Sequence, residues 1–322
     1  MLKSFATALV AATALSVPAL AQDAFPVTIT HSFGETTIPA EPMRIVTLGW
    51  SAQDTVLALG KVPVAVPTNS YGGDDSGGFL PWTLEAVEAL GGPTPELLSE
   101  AEPPIEAIAA LQPDLILAPY SGLTQEQYDV LSGIAPVVAS PGAPWSTSWQ
   151  DVVLISGQAL GKSAEAEALL AETEQFMADE AAKYHDLQGT SFATTIGYDG
   201  QVAVHSANDA RVQMLADIGM VPDVEIEGAD TSGGFYSVVS FENFDMIDAD
   251  VIISFFDTQE AADAFYAQPT VELSPQVERG SVAAIVGEAK AMSIGALSPL
   301  GLRWGFPDYI ADIAAAAAAA KN

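Results

Sequence analysis

The feature that most constrains this chain is a long proline-free run from Ser163 to about Leu187. Apolar side chains recur along the run at helical spacing, and acidic residues fall on the opposite face. A helix of about 25 residues would span roughly 37 Å, which is about the width of a small domain. The pattern predicts one unbroken helix, with apolar positions Ala166, Leu169, Leu170, Thr173, Phe176, Met177, Ala181 and Tyr184.

The sequence before this helix resembles the sequence after it. Glu106 precedes Asp114 by eight residues in the run EAIAALQPDLI. Glu242 precedes Asp250 by the same interval in the run ENFDMIDADVI, and the midpoint of the two glutamates lies inside the predicted helix. We therefore interpret the chain as two related lobes joined by one rigid helix, and we expect only a small movement between the lobes.

Short apolar runs and helical patterns alternate on both sides of the long helix, which favours parallel sheets flanked by helices. The predicted fold class is α/β, with two mostly parallel-sheet lobes joined by a single long helix and a ligand cleft between them. We place the N-terminal lobe at 22–160, the interlobe helix at 161–188 and the C-terminal lobe at 189–322. The predicted strands are 44–48, 62–66, 115–118, 136–139, 192–198, 202–205, 251–254 and 282–286.

Residues 1–21 have the features of a secretory signal peptide. Lys3 supplies the positive charge, Ala6 to Val17 form the apolar run, and Ala19-Leu20-Ala21 form the small-residue cleavage pattern. The apolar run is too short to span a bilayer. The chain contains no cysteine, which excludes disulfides and a lipidated N-terminal cysteine. We expect a soluble protein that is free in the periplasm.

The chain is strongly acidic, with 42 Asp and Glu against 10 Lys and Arg and a net charge of −32. Such a surface repels nucleic acids and anionic lipids, so we expect neither as a partner, and we expect a monomer. Adaptation to a salty medium is one explanation of the acidity. A second consequence concerns ligands, because a cleft in this protein has few cations with which to hold a polyanion.

The motifs of common enzymes and metal sites are incomplete in this chain. The run from Gly49 to Gln53 places Ser51 between a strand and a helix, but it lacks the final glycine of a hydrolase nucleophile elbow. His31, His185 and His205 are far apart in sequence and have no partner at ligand spacing. We therefore expect no catalytic residue, no metal site and no cofactor, and we predict that the protein is not an enzyme.

Aromatic residues follow the predicted strands at the positions where a ligand is expected. Ligands of open parallel sheets bind outside the carboxyl ends of the strands. Core or surface packing is the better explanation of any one aromatic residue taken alone, but four successive loops of one lobe carry Trp or Tyr. Arg211 is either half of a salt bridge or a donor to ligand oxygens. The candidate ligand-binding residues are Trp50, Tyr71, Tyr120, Trp145, Arg211 and Tyr236.

Several stretches, taken in order, resemble the iron–siderophore class of periplasmic substrate-binding proteins, which serve ABC importers of ferric siderophores, haem and cobalamin. The resemblance covers nearly the whole chain after residue 21, and its most specific part is Ile105 to Ile116. The other stretches that carry it are Phe33-Gly34 leading to 42–46, 57–64, 134–138, 159–162 and 297–300, together with Leu48-Gly49-Trp50-Ser51 and 143–149.

The resemblance implies a ferric siderophore as ligand, with iron bound only as its siderophore complex, and delivery to the permease of an ABC-type importer. It also implies that Glu106 and Glu242 dock onto arginines of that permease. The scarcity of cations favours a hydroxamate-type complex over a highly charged catecholate. One alternative is haem or cobalamin. Haem would need Tyr or His at its iron, and Tyr71, Tyr120 or Tyr236 could serve. A second alternative is a secreted α/β hydrolase that uses Ser51.

Overall fold

The computed structural model describes residues 23–198, 200–225 and 234–321. The predicted signal peptide at 1–21 lies outside these ranges. Within them, no helix combines the length and the apolar character needed to cross a bilayer.

The first lobe contains an antiparallel hairpin and a five-stranded parallel sheet. The hairpin strands are β1 (Val27–His31) and β2 (Gly34–Ile38). The sheet has the strand order β5-β4-β3-β6-β7, and the three central strands are fully buried, as expected for a sheet covered on both faces. Its strands are β3 (Ile45–Thr47), β4 (Ala65–Pro67), β5 (Glu96–Leu98), β6 (Leu115–Ala118) and β7 (Val137–Ala139). Its helices are α1 (Ala52–Ala58), α2 (Pro81–Leu90), α3 (Ile105–Ala110), α4 (Gln125–Ser132) and α5 (Trp149–Ala159).

The second lobe has a mixed sheet with the order β11-β9-β8-β12-β13, and β10 pairs with the start of β8. Strands β8, β12 and β13 are parallel, whereas β9 is antiparallel to both of its neighbours. The strands are β8 (Ser191–Tyr198), β9 (Gln201–His205), β10 (Val221–Pro222), β11 (Tyr236–Val239), β12 (Val251–Phe256) and β13 (Val282–Val286). The helices are α7 (Ala210–Asp217), α8 (Gln259–Tyr266), α9 (Pro269–Glu272), α10 (Pro275–Glu278), α11 (Glu288–Gly295) and α12 (Pro299–Ala320).

The linking helix α6 (Ser163–Ala181) is shorter than predicted. Its 19 residues span roughly 28 Å, and a separate 3₁₀ turn follows at His185–Leu187. Tyr184 has extended backbone angles, and Leu187 is completely buried. The apolar spacing in the sequence continues past Ala181, but the helix does not. The chain leaves the helix axis there, and Leu187 is buried. The exact lobe boundaries stay a prediction.

The two repeated aspartates explain the similarity between the halves. The Asp114 carboxylate accepts hydrogen bonds from the backbone N–H groups of Met43 and Arg44 (both 2.8 Å), at the start of β3. The Asp250 carboxylate accepts one from the N–H of Ser191 (2.9 Å), at the start of β8. Each aspartate precedes one strand and anchors the start of the parallel strand beside it. The repeated motif thus sets the strand register in both lobes.

The helix α12 connects the lobes as extensively as α6 does. One continuous hydrophobic core includes Val56 of α1 and Leu117 of β6 in the first lobe. It also includes Ile253 of β12 in the second lobe and Phe306 and Ile313 of α12, all nearly or completely inaccessible to solvent. The expectation of a single rigid connection was therefore incomplete, because α12 packs against both lobes.

A buried carboxylate fixes the start of α12 against the first lobe. Asp54 of α1 is 1% exposed and accepts hydrogen bonds from Ser298 Oγ (2.6 Å), Thr83 Oγ1 (2.7 Å) and Trp82 Nε1 (2.7 Å). Burial raises the pKa of Asp54, and the three donors oppose this shift. Ser298 also caps α12 by accepting from the N–H of Gly301 (3.0 Å). Asp54 therefore links α1, α2 and α12.

We predict that Asp54→Ala lowers the free energy of unfolding by about 3 kcal/mol or more, because three buried donors lose their acceptor. Ser298→Ala should lower it by about 2 kcal/mol through loss of the helix cap and of one charge-assisted hydrogen bond. Urea denaturation followed by circular dichroism measures both changes.

Ser274→Ala is the matched control, because Ser274 also caps a helix (α10) but makes no contact with Asp54. It should cost about 1 kcal/mol. If Ser298→Ala lowered the free energy of unfolding by no more than Ser274→Ala does, the hydrogen bond from Ser298 to Asp54 would not stabilise the junction between α12 and the first lobe.

Candidate functional site

A cavity of about 560 Å³ lies between the two lobes. Five of the six predicted ligand-binding residues line this cleft, namely Trp50, Tyr71, Tyr120, Trp145 and Arg211. The sixth, Tyr236, is not among the described lining residues, and its neighbour Phe235 lines the cleft instead. Successive side chains of an extended chain point to opposite sides, so the two residues cannot share one wall.

Three aromatic rings of the first lobe form one cluster on the wall of the cleft. The ring centroids of Trp50 and Trp145 lie 5.7 Å apart, those of Tyr120 and Trp145 lie 5.5 Å apart, and those of Trp50 and Tyr120 lie 6.4 Å apart. They follow β3, β6 and β7, which are neighbours in the sheet. The N–H of Trp50 also donates to the carbonyl of Tyr120 (3.0 Å), so the loops are fixed to each other.

Two glycines make room for this cluster. A Cβ atom at Gly122 would lie 2.5 Å from Nε1 of Trp145 and 2.9 Å from its Cε2, so the indole rests directly on the glycine backbone. A Cβ atom at Gly49 would overlap the carbonyl of Tyr120, and Gly49 has a φ of +75°. Trp145 itself has a φ of +58°, which is uncommon for a bulky residue. The rings are thus held by backbone that tolerates little substitution.

The opposite wall combines apolar side chains with Asn208, Gln213 and one ion pair. Phe235, Phe255, Ile196 and Met292 contribute its apolar surface. The guanidinium of Arg211 also lies over the Phe255 ring, 5.6 Å from its centroid.

Arg211 is the only cationic residue among the described residues that line the cleft, and it is paired. Its Nε and Nη2 donate to the two carboxylate oxygens of Asp209 at 2.8 and 2.7 Å, and its backbone N–H donates to the same carboxylate (2.9 Å). Burial alone would raise the pKa of Asp209, but the hydrogen bonds and the charge of Arg211 outweigh burial and hold this pKa low. The pair therefore contributes no net charge to the cleft.

The loop after β4 bridges the two lobes at one side of the cleft. The Tyr71 hydroxyl donates to Oδ1 of Asp257 (2.6 Å), and the N–H of Gly72 donates to Oε2 of Glu288 (2.9 Å). Burial raises the pKa of Tyr71, and Asp257 raises it further. Tyr71 therefore remains a neutral donor at physiological pH.

His31 and Ser51 make structural contacts. His31 bonds Thr36 through Nε2 (2.9 Å) and accepts from the N–H of Phe33 through Nδ1 (3.2 Å). The buried Ser51 hydroxyl donates to the carbonyl of Ala296 (3.2 Å), and Ser51 is not among the described lining residues. In the part of the chain that the structure describes, no three His, Cys, Asp or Glu residues are grouped as a metal site.

Sequence reasoning missed several cleft residues that tertiary packing brings in. Phe255 and Ile196 lie within long apolar strands, and period-2 alternation cannot show which face borders a cavity. A local signal existed for Asp209, which stands two residues before Arg211 and caps α7. That spacing could have predicted the ion pair.

We predict a pH-dependent loss of stability from His205, which lies beneath the cleft and is 5% exposed. Burial and the charge of Arg211 lower its pKa from 6.5 to about 4, although Asp209 and the carbonyl of Thr194 oppose the shift. Between these pH values the unfolded chain binds more protons than the native protein. The free energy of unfolding should therefore fall as the pH decreases from about 6.5 to about 4, by up to about 3 kcal/mol.

Urea denaturation across this pH range measures the effect, and His205→Gln should flatten the pH dependence. His185→Gln is the control, since His185 is exposed and should leave the dependence unchanged. An identical pH dependence in the wild type and His205→Gln would contradict the prediction.

Comparison with known proteins places the chain in a family. Residues 45–288 match the family described as "Periplasmic binding protein". The chain is similar to the ferric enterobactin-binding periplasmic protein FepB of Escherichia coli O6:H1, with 28% identity over 278 residues that cover 81% of this chain and 84% of the relative. It is also similar to the probable siderophore-binding lipoprotein YfiY of Bacillus subtilis, with 28% identity over 71% of this chain and 68% of the relative.

A solved structure extends the similarity to the arrangement of both lobes. The structure of PiaA from Streptococcus pneumoniae TIGR4 in complex with ferrichrome superposes with a TM-score of 0.80 and 31% identity. The alignment covers 91% of this chain and 99% of PiaA. The resemblance inferred from the sequence motifs is confirmed: the chain belongs to the periplasmic binding protein family, among relatives that bind ferric siderophores.

Proposed function

We propose that this protein binds a ferric siderophore in the periplasm and delivers it to the permease of an ABC-type importer. The main support for the proposal is the interlobe cleft. Its walls carry aromatic rings, and its ion pair of Arg211 with Asp209 has no net charge. A cavity of about 560 Å³ suits a bulky, partly apolar ligand. The similarity to FepB, YfiY and PiaA supports the same ligand class.

Charge favours a hydroxamate-type siderophore within this class. Ferric trihydroxamates carry little net charge, whereas ferric tricatecholates are strongly anionic. A strong anion in this cleft would meet Arg211, whose charge is already compensated by Asp209 at 2.7 Å. The relatives named above include proteins for both kinds of ligand, so the charge of the cleft is the deciding argument.

Haem or cobalamin is the second candidate, and the tyrosines of the cleft disfavour haem. An iron-ligating tyrosine would have to be Tyr71 or Tyr120. The Tyr71 hydroxyl already donates to Asp257, and burial raises the pKa of Tyr120. Phenolate ligation would have to overcome both effects. A Soret band on addition of haemin would favour this candidate.

We predict that ferrichrome and ferrioxamine bind about tenfold or more tightly than ferric enterobactin. Titration of the intrinsic tryptophan fluorescence measures this, because Trp50 and Trp145 line the cleft. Trp145→Ala should weaken binding of both hydroxamates, whereas Trp304→Ala, which alters a tryptophan outside the cleft, should not. Tightest binding of ferric enterobactin would contradict the hydroxamate proposal.

Permease docking is assigned in this proposal to Glu106 and Glu242. Both side chains are exposed. Glu106 lies in the first turn of α3, while Glu242 lies in a 3₁₀ turn, Phe241–Met246, rather than in the predicted α-helix. Each stands eight residues before an aspartate that anchors the central sheet of its lobe, so the two occupy equivalent places in the repeat.

We predict that Glu106→Lys and Glu242→Lys each abolish most iron uptake in cells while leaving siderophore affinity unchanged. Charge reversal opposes docking onto cationic residues of the permease but alters no residue that lines the cleft. Glu167→Lys on the exposed side of α6 is the control and should retain uptake. If affinity fell together with uptake, the docking assignment would be wrong.

A further inference from the structure

A second cavity, of about 410 Å³, adjoins the cleft within the first lobe. It shares Trp50 and Trp145 with the cleft, so the two indoles stand between the two spaces. We call this second cavity the side chamber. Trp145 is 41% exposed, which leaves part of its ring free for contact with a ligand. The two spaces therefore meet at these rings.

The side chamber differs from the cleft in charge. Glu100 and Glu102 line it, and no Lys, Arg or His is among its described lining residues. The carboxylates thus add negative charge to a space that is otherwise bounded by indole rings and uncharged loops. Indole faces and carboxylates both attract an organic cation.

One of the two carboxylates is held in place. Oε2 of Glu100 accepts from Ser70 Oγ (2.6 Å) and from the N–H of Ser70 (3.2 Å). These bonds occupy one carboxylate oxygen, and the structure gives Oε1 no hydrogen-bond partner among the described residues. Ser70 adjoins Tyr71, which bonds the second lobe through Asp257, so the position of Glu100 depends on the loop that bridges the lobes.

We propose that the side chamber binds a cationic pendant group, such as a primary ammonium, of a ferric complex whose iron centre occupies the cleft. This inference rests on the proposed function and adds the chemical class of one part of the ligand, its pendant group. The ammonium would lie near the faces of Trp50 and Trp145 and the carboxylates of Glu100 and Glu102. A neutral or anionic arm would gain nothing from the carboxylates.

Ferrioxamine B and its N-acetylated form test this proposal, because they share one iron centre and differ in the charge of the pendant group. The wild-type protein should bind the cationic form about fivefold more tightly at low salt, which is the magnitude expected for partly exposed ion pairs. The double variant Glu100→Gln/Glu102→Gln should lose this preference while binding the acetylated form as before. Salt should weaken the preference in the wild type.

Glu88→Gln is the matched control, because Glu88 is an exposed carboxylate of the same lobe that lines neither cavity, and it should keep the full preference. Equal binding of the two forms by the wild type, or an equal loss for both in the double variant, would overturn the side-chamber proposal. Failure of every ferric hydroxamate to bind would overturn the proposed function itself.

Discussion

The packing of α12 against both lobes is the constraint on which the rest of the structure depends. Asp54 holds the first turn of this helix through Ser298, and one hydrophobic core continues from the first lobe through Phe306 and Ile313 into the second. A large separation of the lobes would expose this core and leave the buried Asp54 carboxylate without one of its three donors, Ser298. The walls of the cleft are therefore held close together, and recognition has to come from side chains rather than from large domain closure.

On the proposed function, the cleft would recognise its ligand through aromatic ring surface and without a net charge of its own. The cluster of Trp50, Tyr120 and Trp145 provides wide contact faces at little cost in conformational entropy, since the rings are already fixed by their own packing and by Gly122. Asp209 and Arg211 retain polar edges but cancel each other's charge. On the proposed function, discrimination between ferric complexes would depend on shape and charge, since a strong anion finds no uncompensated cation among the described lining residues.

The fold was largely predictable from the sequence because its strong signals are local. Strand-helix alternation and the repeat around Asp114 and Asp250 predicted two lobes, and positions after parallel strands predicted the ring cluster of the first lobe. The errors arose where tertiary packing overrides local pattern. Burial of Leu187 ends α6 early, and the wall that Phe235 lines depends on pairing across the sheet. The sequence did not predict that α12 packs against both lobes, because the apolar pattern of a helix does not show which elements it contacts.

The bridging loop at Tyr71 and Gly72 determines how a ligand can reach the cleft. Two hydrogen bonds join the lobes on that side, so passage there would break both. Trp145 and Phe235 are the lining rings with the largest exposed fractions, 41% and 49%. Passage beside them breaks neither of these two hydrogen bonds. The cleft is thus asymmetric, with one side closed by two hydrogen bonds and another bordered by exposed rings. On the proposed function, cargo would be exchanged through the second side.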